Sequence, residues 1–165
     1  MGLFGKLRKI IEIIFENESV QKGDDFEKYV VDLFDEKYFS IVQWTTDMAR
    51  KHTRFVESDY GPDLVLRHRP TNEIFCVECK FRSKLFNGRL QWSSPRQLGR
   101  YRIFARDNEI PFFVVIGLGG KARKPKKMFC IPLEETRFTA LPSELFEKFE
   151  RNSKKKFFWK NGVLK

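Results

Sequence analysis

The chain has 165 residues, of which 41% are hydrophobic and 33% are charged, a balance typical of a soluble globular protein. That length suits one domain with a sizeable core, and no apolar run approaches the length of a membrane span. With 32 Lys and Arg against 22 Asp and Glu, the formal net charge is +10, which favours polyanionic partners. A basic protein without such a ligand is the alternative.

The three cysteines, at positions 76, 79 and 130, do not suggest a disulfide scaffold. No signal peptide is evident, so the sequence predicts a cytoplasmic protein. Cys76 and Cys79 form a C-x-x-C within a strand pattern, where an odd spacing places their side chains on opposite faces. A zinc site on this pair is therefore not expected.

Residues 2–16 (GLFGKLRKIIEIIFE) predict an amphipathic helix, because apolar residues recur at helical spacing. Three interpretations are open: packing on the domain, dimerisation, or binding to a membrane surface. The first two are favoured, and dimerisation would make a second copy of the chain the partner. Residues 17–22 resemble a short linker. This divides the chain into an N-terminal helix with its linker (1–22) and a domain with a basic C-terminal tail (23–165).

A second helix is predicted from about Asp24 to Lys37, with Phe26, Val30 and Leu33 on its apolar face. Glu27 lies at the edge of that face and could look into a cleft. The alternative is that Asp24 and Glu27 form an N-terminal capping box.

Two strands joined by a turn are predicted between Asp63 and Phe81, and they carry the polar residues that most need an explanation. Glu78 and Lys80 point to the same side of an otherwise apolar strand, and Asp63 opens the neighbouring strand. Buried charges are costly unless they are paired or bind a metal. Two converging carboxylates form an oxygen site for Mg²⁺ or Mn²⁺, beside which a lysine can orient water. The alternative is a surface hairpin with a Glu78–Lys80 ion pair.

The segment from Cys79 to Arg106 contains eight basic residues and no acidic residue. Such a segment can neutralise phosphates, which supply most nucleic-acid affinity. Trp92 either stacks on a base or packs in the core. The predicted nucleic-acid-binding residues are Arg82, Lys84, Arg89, Trp92, Arg96 and Arg100.

A helix is predicted from Pro95 to about Asn108, and it places Gln97 and Tyr101 one turn apart. Residues 111–119 (PFFVVIGLG) then predict a strand that is buried on both faces. A basic loop at 121–127, a strand at 128–133, a helix at 142–151 and a hairpin around Asn161-Gly162 complete the chain.

The spacing of Pro62-Asp63 and Glu78-Cys79-Lys80, with fourteen residues between Asp63 and Glu78, resembles the PD-(D/E)XK nuclease superfamily. Glu27 on the preceding helix and Gln97-x-x-x-Tyr101 on the following helix are similar to accessory motifs of that superfamily. The second motif occurs in one branch, which includes recombination-type exonucleases. The resemblance implies an α/β, restriction-endonuclease-like core, in which helices flank a mixed central β-sheet.

The resemblance also implies a nuclease that depends on Mg²⁺ or Mn²⁺ and acts on DNA. Asp63, Glu78, the carbonyl of Cys79 and Glu27 would be the metal-binding residues. Lys80 would position or activate water, while Gln97 and Tyr101 would orient the phosphate or the outer shell of the metal. Exonuclease, endonuclease and junction resolvase remain open, and a binding module without catalysis on the same fold is the alternative.

Overall fold

The structure, a computed structural model, describes residues 3–45 and 61–165. A long first helix is followed by short strands, a second helix and a strand-rich C-terminal half. In chain order the elements are α1 (Leu3–Asp32), β1 (Phe39–Trp44), β2 (Leu64–His68), β3 (Ile74–Arg82), β4 (Leu90–Gln91), α2 (Pro95–Asn108), β5 (Phe112–Lys121), β6 (Lys124–Pro132), a 3-10 turn (Leu133–Glu135), β7 (Ala140–Leu141), α3 (Ser143–Phe146), a second 3-10 turn (Glu147–Phe149), β8 (Glu150–Arg151), β9 (Trp159–Lys160) and β10 (Val163–Leu164).

The central sheet has the strand order β1-β2-β3-β5-β6-β8. Strands β3 and β5 run parallel, while the other neighbouring pairs are antiparallel. Because parallel neighbours need a crossover connection, α2 lies between β3 and β5 in the chain. The sheet is therefore mixed and flanked by helices, which confirms the fold class that the sequence predicts.

The two long helices cover opposite faces of the sheet. Phe26 and Val30 of α1 pack in one apolar cluster with Phe75, a residue of β3. Leu98 and Tyr101 of α2 belong to a second cluster, with Cys76 of β3 and Ile116 of β5 among its members. Strand β5 is thus buried on both sides, as predicted, and β3 alternates between the two clusters.

Helix α1 differs from the prediction at both ends of its second half. Residues 17–22 are helical and not a linker, and the helix ends at Asp32 instead of continuing to Lys37. Asp24 and Glu27 lie inside it, so the predicted capping box is wrong. None of residues 17–22 is a strong helix breaker, and Gln21 donates a hydrogen bond to Asp25 at 3.3 Å across one turn. Gly23 costs about 1 kcal/mol inside a helix, which the burial of the following turns offsets.

The N-terminal half of α1 has little cover from the described part of the domain, although Phe15 and Phe81 of β3 line one cavity. Every residue from 5 to 19 is exposed, including Leu7, Ile10 and Ile14. Within the described residues, packing of this half on its own domain is therefore limited to its last turns, and dimerisation or surface binding stays a prediction. Among the described residues, no helix is both long and apolar enough to span a membrane.

The C-terminal half is more strand-rich than expected. Strand β6 begins at Lys124, so the predicted basic loop at 121–127 is mostly a hairpin between β5 and β6. The helix predicted at 142–151 covers only four residues before a 3-10 turn and β8. Asn161 and Gly162 both have positive φ and connect β9 to β10, which confirms the predicted hairpin.

Candidate active site

The two predicted carboxylates meet because β2 and β3 pair antiparallel with Leu64 opposite Val77. Asp63 directly precedes Leu64 and therefore lies level with Glu78. The backbone N–H of Asp63 donates to Glu78 Oε2 at 3.2 Å, and the backbone N–H of Cys79 donates to Asp63 Oδ2 at 2.8 Å. Both carboxylates are buried, at 3% and 0% exposure. The backbone thus holds the pair at the point that the sequence indicates.

Lys80 and Tyr101 complete the contacts of Glu78. The ammonium of Lys80 lies 2.6 Å from Glu78 Oε1, and the Tyr101 hydroxyl donates to the same oxygen at 2.6 Å. Lys80 and Glu78 are two residues apart on β3, so both side chains face α2, the helix that carries Tyr101. The surface-hairpin alternative is excluded, since the Glu78 side chain is fully buried.

The charges of this cluster oppose the effect of burial on Lys80. Burial by itself lowers the pKa of the Lys80 ammonium, but Glu78 and Asp63 raise it more, so the net pKa lies above the ordinary value. Burial raises the pKa of the Tyr101 hydroxyl, and the negative charge of Glu78 adds to that rise. At neutral pH the site therefore holds a lysine cation and a neutral tyrosine.

Glu27 of α1 is buried and has a partner that the sequence analysis missed. The indole Nε1–H of Trp44, the last residue of β1, donates to Glu27 Oε1. The Glu27 side chain is 4% exposed and the Trp44 side chain 40%. The pattern of residues 39–45 predicts a strand but contains no signal for a contact with a helix 17 residues earlier.

Three carboxylates affect the pKa of the Cys79 thiol. Burial raises the pKa of the Cys79 thiol well above its ordinary value, and the charges of Asp63, Glu27 and Glu78 raise it further.

Within residues 3–45 and 61–165, no group of three or more His, Cys, Asp or Glu side chains forms a ready metal site. An ion would therefore rest mainly on the Asp63–Glu78 pair, with a backbone carbonyl and water completing its shell. Carboxylate oxygens with several retained waters suit Mg²⁺, so the donor set fits the predicted ion.

Gln97 and Tyr101 lie one turn apart on α2, but their side chains contact different groups. The Gln97 side chain accepts the backbone N–H of Ser94 at 3.1 Å, and the Ser94 hydroxyl accepts the backbone N–H of Gln97 at 3.2 Å. This reciprocal pair is a capping box. Tyr101 alone reaches the carboxylates, and the Gln97 amide stabilises the start of its own helix.

Two of the predicted nucleic-acid-binding residues make contacts within the protein. Trp92 is fully buried, stacks near Tyr101 and donates from Nε1 to the carbonyl of Phe138 at 2.9 Å, so it packs in the core and has no face for a base. Arg82 donates to the carbonyls of Gln91 and Trp92, at 2.6 and 2.9 Å. The remaining predicted residues are Lys84, Arg89 and Arg96, which are exposed, and Arg100, which is partly buried.

The strand order and the crossover helix between the parallel strands β3 and β5 define the mixed α/β fold. The same fold occurs in Hjc from Archaeoglobus fulgidus, a Holliday junction resolvase from an archaeal hyperthermophile, whose structure is solved at 1.6 Å resolution. The TM-score is 0.52 at 16% sequence identity, over 74% of this chain and 89% of Hjc. Hjc belongs to the PD-(D/E)XK nuclease-like superfamily. No protein-family model and no curated protein matches this chain.

Proposed function

We propose that this protein is a metal-dependent nuclease that hydrolyses phosphodiester bonds of DNA. The observation that carries the proposal is the buried group formed by Asp63, Glu78 and Lys80, in which backbone N–H groups hold the two carboxylates on adjacent strands and the Lys80 ammonium lies 2.6 Å from Glu78. A charged group of this kind is costly to bury, and a structural ion pair alone would be replaceable by apolar residues. Its position in a nuclease-like fold supports the same conclusion.

Asp63 and Glu78 would hold Mg²⁺ or Mn²⁺, with the carbonyl of Cys79 as a third ligand and Glu27 acting on the ion or its waters. Such an ion stabilises charge that develops on phosphoryl oxygens and lowers the pKa of bound water. In the site without an ion, Glu78 and Asp63 raise the pKa of Lys80, so the side chain is a cation there. As a cation it would donate hydrogen bonds to the attacking water or to a phosphate oxygen. Tyr101 fixes the orientation of Glu78.

DNA is the proposed partner, and the exposed cations Lys84, Arg89 and Arg96 are the residues proposed to bind its phosphates, with Arg100 beside them. The net charge of +10 supports a polyanionic substrate. Because Hjc is a Holliday junction resolvase, branched DNA belongs among the first substrates to test. Product lengths separate an exonuclease from an endonuclease or a resolvase.

Three further parts of the account are proposals of the same kind. A cytoplasmic location is supported by the three cysteines, all of them buried and free. Residues 1–22 are proposed to serve self-association, while residues 23–165 carry the nuclease-like domain. The branch with the Gln-x-x-x-Tyr motif is supported by the contact of Tyr101 with Glu78, whereas Gln97 provides no support because it caps α2.

The proposal is tested by incubating end-labelled single-stranded, double-stranded and branched DNA with the full chain and Mg²⁺ or Mn²⁺. We expect cleavage that EDTA abolishes and that the substitutions Glu78→Ala and Lys80→Ala both remove. Glu144 and Lys148 are exposed residues of α3 and the turn that follows it, so Glu144→Ala and Lys148→Ala are matched controls that should cut like wild type.

DNA binding is measured on the same proteins by electrophoretic mobility shift. A wild-type chain that binds DNA and cuts none of the substrates with either metal would make the non-catalytic binding module the better account. Cleavage that survives both substitutions would show that the active site lies elsewhere in the chain.

A further inference from the structure

The N-terminal half of α1, residues 5–19, has an apolar face that the rest of residues 3–45 and 61–165 leaves largely exposed. Ile14 and Phe15 are 51% and 66% exposed, and Leu7, Ile10 and Ile11 lie along the same side of the helix. At 1.5 Å per residue this half is about 22 Å long. An isolated helix of this length is marginally stable in water, so a partner that covers its apolar face would stabilise it.

The charges of this half are divided along its length. Lys6, Arg8 and Lys9 occupy its first turns, and Glu12, Glu16 and Glu18 occupy its last turns. All six side chains are exposed, and the only ion pair described among them joins Arg8 to Glu12 at 3.2 Å within the same helix. The half therefore has no net charge, yet one end is positive and the other negative.

We propose that this half of α1 is a homodimerisation surface on which a second copy of the chain docks antiparallel. In that orientation the basic end of each helix lies against the acidic end of the other, while the apolar faces cover each other. A parallel pair would place like charges together at both ends and is disfavoured. The inference concerns association alone and does not depend on the proposed nuclease activity.

The same charges argue against a membrane surface as the occupant. Helices that bind anionic lipid have a polar face rich in Lys and Arg. Here three glutamates balance the three basic residues, so an anionic surface would repel the second part of the helix. Self-association pairs the basic residues of one helix with the acidic residues of the other, whereas an anionic lipid surface attracts only the basic residues.

The apolar contribution is tested by measuring the mass of the full-length chain with multi-angle light scattering across a dilution series, in the absence of DNA and metal. We expect wild type to approach twice its 19.7 kDa mass as concentration rises. The substitution Ile14→Gln should shift it to the monomer. Ile13→Gln is the matched control, because Ile13 is equally exposed, at 49%, but lies on the other side of the helix.

Orientation is tested by reversing charges. The triple substitution Lys6→Glu, Arg8→Glu and Lys9→Glu makes both ends acidic and should abolish the dimer. Adding Glu12→Lys, Glu16→Lys and Glu18→Lys in the same chain restores opposite ends and should restore the dimer. A parallel dimer would respond differently, since reversing one end leaves its like-charge repulsion unchanged.

A wild-type chain that stays monomeric at all concentrations would overturn the proposal. Equal loss of the dimer in Ile13→Gln and Ile14→Gln would also overturn it. Co-sedimentation with anionic vesicles provides the competing outcome: pelleting of a monomeric wild type, lost on removing residues 2–16, would assign the surface to lipid instead. Whether the monomer or the dimer cleaves DNA does not change the conclusion about association.

Discussion

Glu78 is the single residue on which most contacts of the candidate site converge. One of its oxygens accepts from Lys80 and Tyr101, and the other accepts from the backbone of Asp63. A buried carboxylate with these donors is satisfied without a metal, which explains how the fold tolerates the charge. An incoming ion would share oxygens whose positions are already fixed by their donors.

Tyr101→Phe removes the hydroxyl that donates to Glu78 and leaves the ring in place. We expect cleavage or metal affinity to fall about 10- to 100-fold, since this hydroxyl orients Glu78, a proposed metal ligand. Loss of a hydrogen bond to a charged group should also lower the free energy of unfolding by about 1.5–3 kcal/mol. Single-turnover cleavage and urea unfolding measure the two effects.

Tyr29→Phe is the control for that change, because the Tyr29 hydroxyl donates at 2.6 Å to the carbonyl of Ser153. It should lower stability and leave cleavage unchanged. Equal effects of the two substitutions on cleavage would assign Tyr101 a purely structural role.

Trp44→Phe tests the contact between Trp44 and Glu27. The substitution keeps an aromatic ring and removes the N–H that donates to Glu27. We expect weaker binding of Mn²⁺, by about 10-fold, because the Glu27 carboxylate is no longer held in one orientation. Isothermal titration calorimetry measures the affinity directly.

Trp159→Phe supplies the matched control, since the Trp159 indole donates to the carboxylate of Glu73 at 2.6 Å, in a pair that includes no proposed metal ligand. Its Mn²⁺ affinity should equal that of wild type. Unchanged affinity in Trp44→Phe would remove Glu27 and Trp44 from the account of the metal site.

The packing of helix α1 on strand β5 positions Glu27. Gly117 of β5 faces Phe26, and a Cβ at this position would lie 2.5 Å from the Phe26 ring. Phe26 is fully buried and directly precedes Glu27, so its displacement would move the carboxylate as well. The absence of a side chain at Gly117 is therefore a condition for this helix to lie where it does.

Gly117→Ala should lower the free energy of unfolding by about 1–3 kcal/mol, which is the typical cost of overpacking a core. Gly99→Ala is the control, because Gly99 lies within α2 and a Cβ there would meet nothing within 4 Å. That change should raise stability by about 0.5–1 kcal/mol. Urea unfolding of both variants checks the prediction, and a neutral Gly117→Ala would contradict the packing of α1 described above.

Local patterns in the sequence predicted the elements whose signals lie within a few residues. The strand pair that carries Asp63, Glu78 and Lys80 and the hairpin at Asn161-Gly162 were predicted because alternation and turn residues determine them. The capping box of Ser94 and Gln97 was also a local signal, but the resemblance to a nuclease motif led to a different role for Gln97.

The rest depends on contacts between distant residues. Residues 17–22 have weak local preferences, and the packing of the turns that follow decides that the helix continues. The Trp44–Glu27 bond joins a strand to a helix, and the burial of Trp92 depends on Phe138, 46 residues away. No periodicity or spacing encodes such pairs, so sequence patterns alone could not find them.

The proposed antiparallel dimer would determine the distance between the two candidate active sites. The sign of charge along α1 changes between Lys9 and Glu12, and Glu27 lies about sixteen residues further along the same helix. At 1.5 Å per residue, the two sites would lie about 50 Å apart along the helix axis. That separation matches roughly 15 base pairs of duplex.

The buried thiol of Cys130 makes the stability of the molecule depend on pH. Burial raises the pKa of this thiol to about 12, although the cation of Arg151 opposes the rise. Below the ordinary thiol pKa of about 8.5, both folded and unfolded forms are neutral. Between about 8.5 and 12 only the unfolded form ionises, so this residue lowers stability as pH rises.

Cys130→Ala should therefore lose stability less steeply than wild type above pH 8.5, by about 1.4 kcal/mol per pH unit. Urea unfolding at a series of alkaline pH values measures both slopes. Parallel slopes would show that the thiol ionises equally well in the folded protein.

The proposed metal-dependent nuclease site is tested by comparing DNA cleavage and DNA binding by wild type and Glu78→Gln, each with Mn²⁺ and with EDTA. The amide keeps the shape of the side chain and removes the charge that a metal requires. We expect wild type to cut only with Mn²⁺, and Glu78→Gln to bind DNA without cutting it. Cleavage by Glu78→Gln at the wild-type rate, or by wild type in EDTA, would contradict the proposed site.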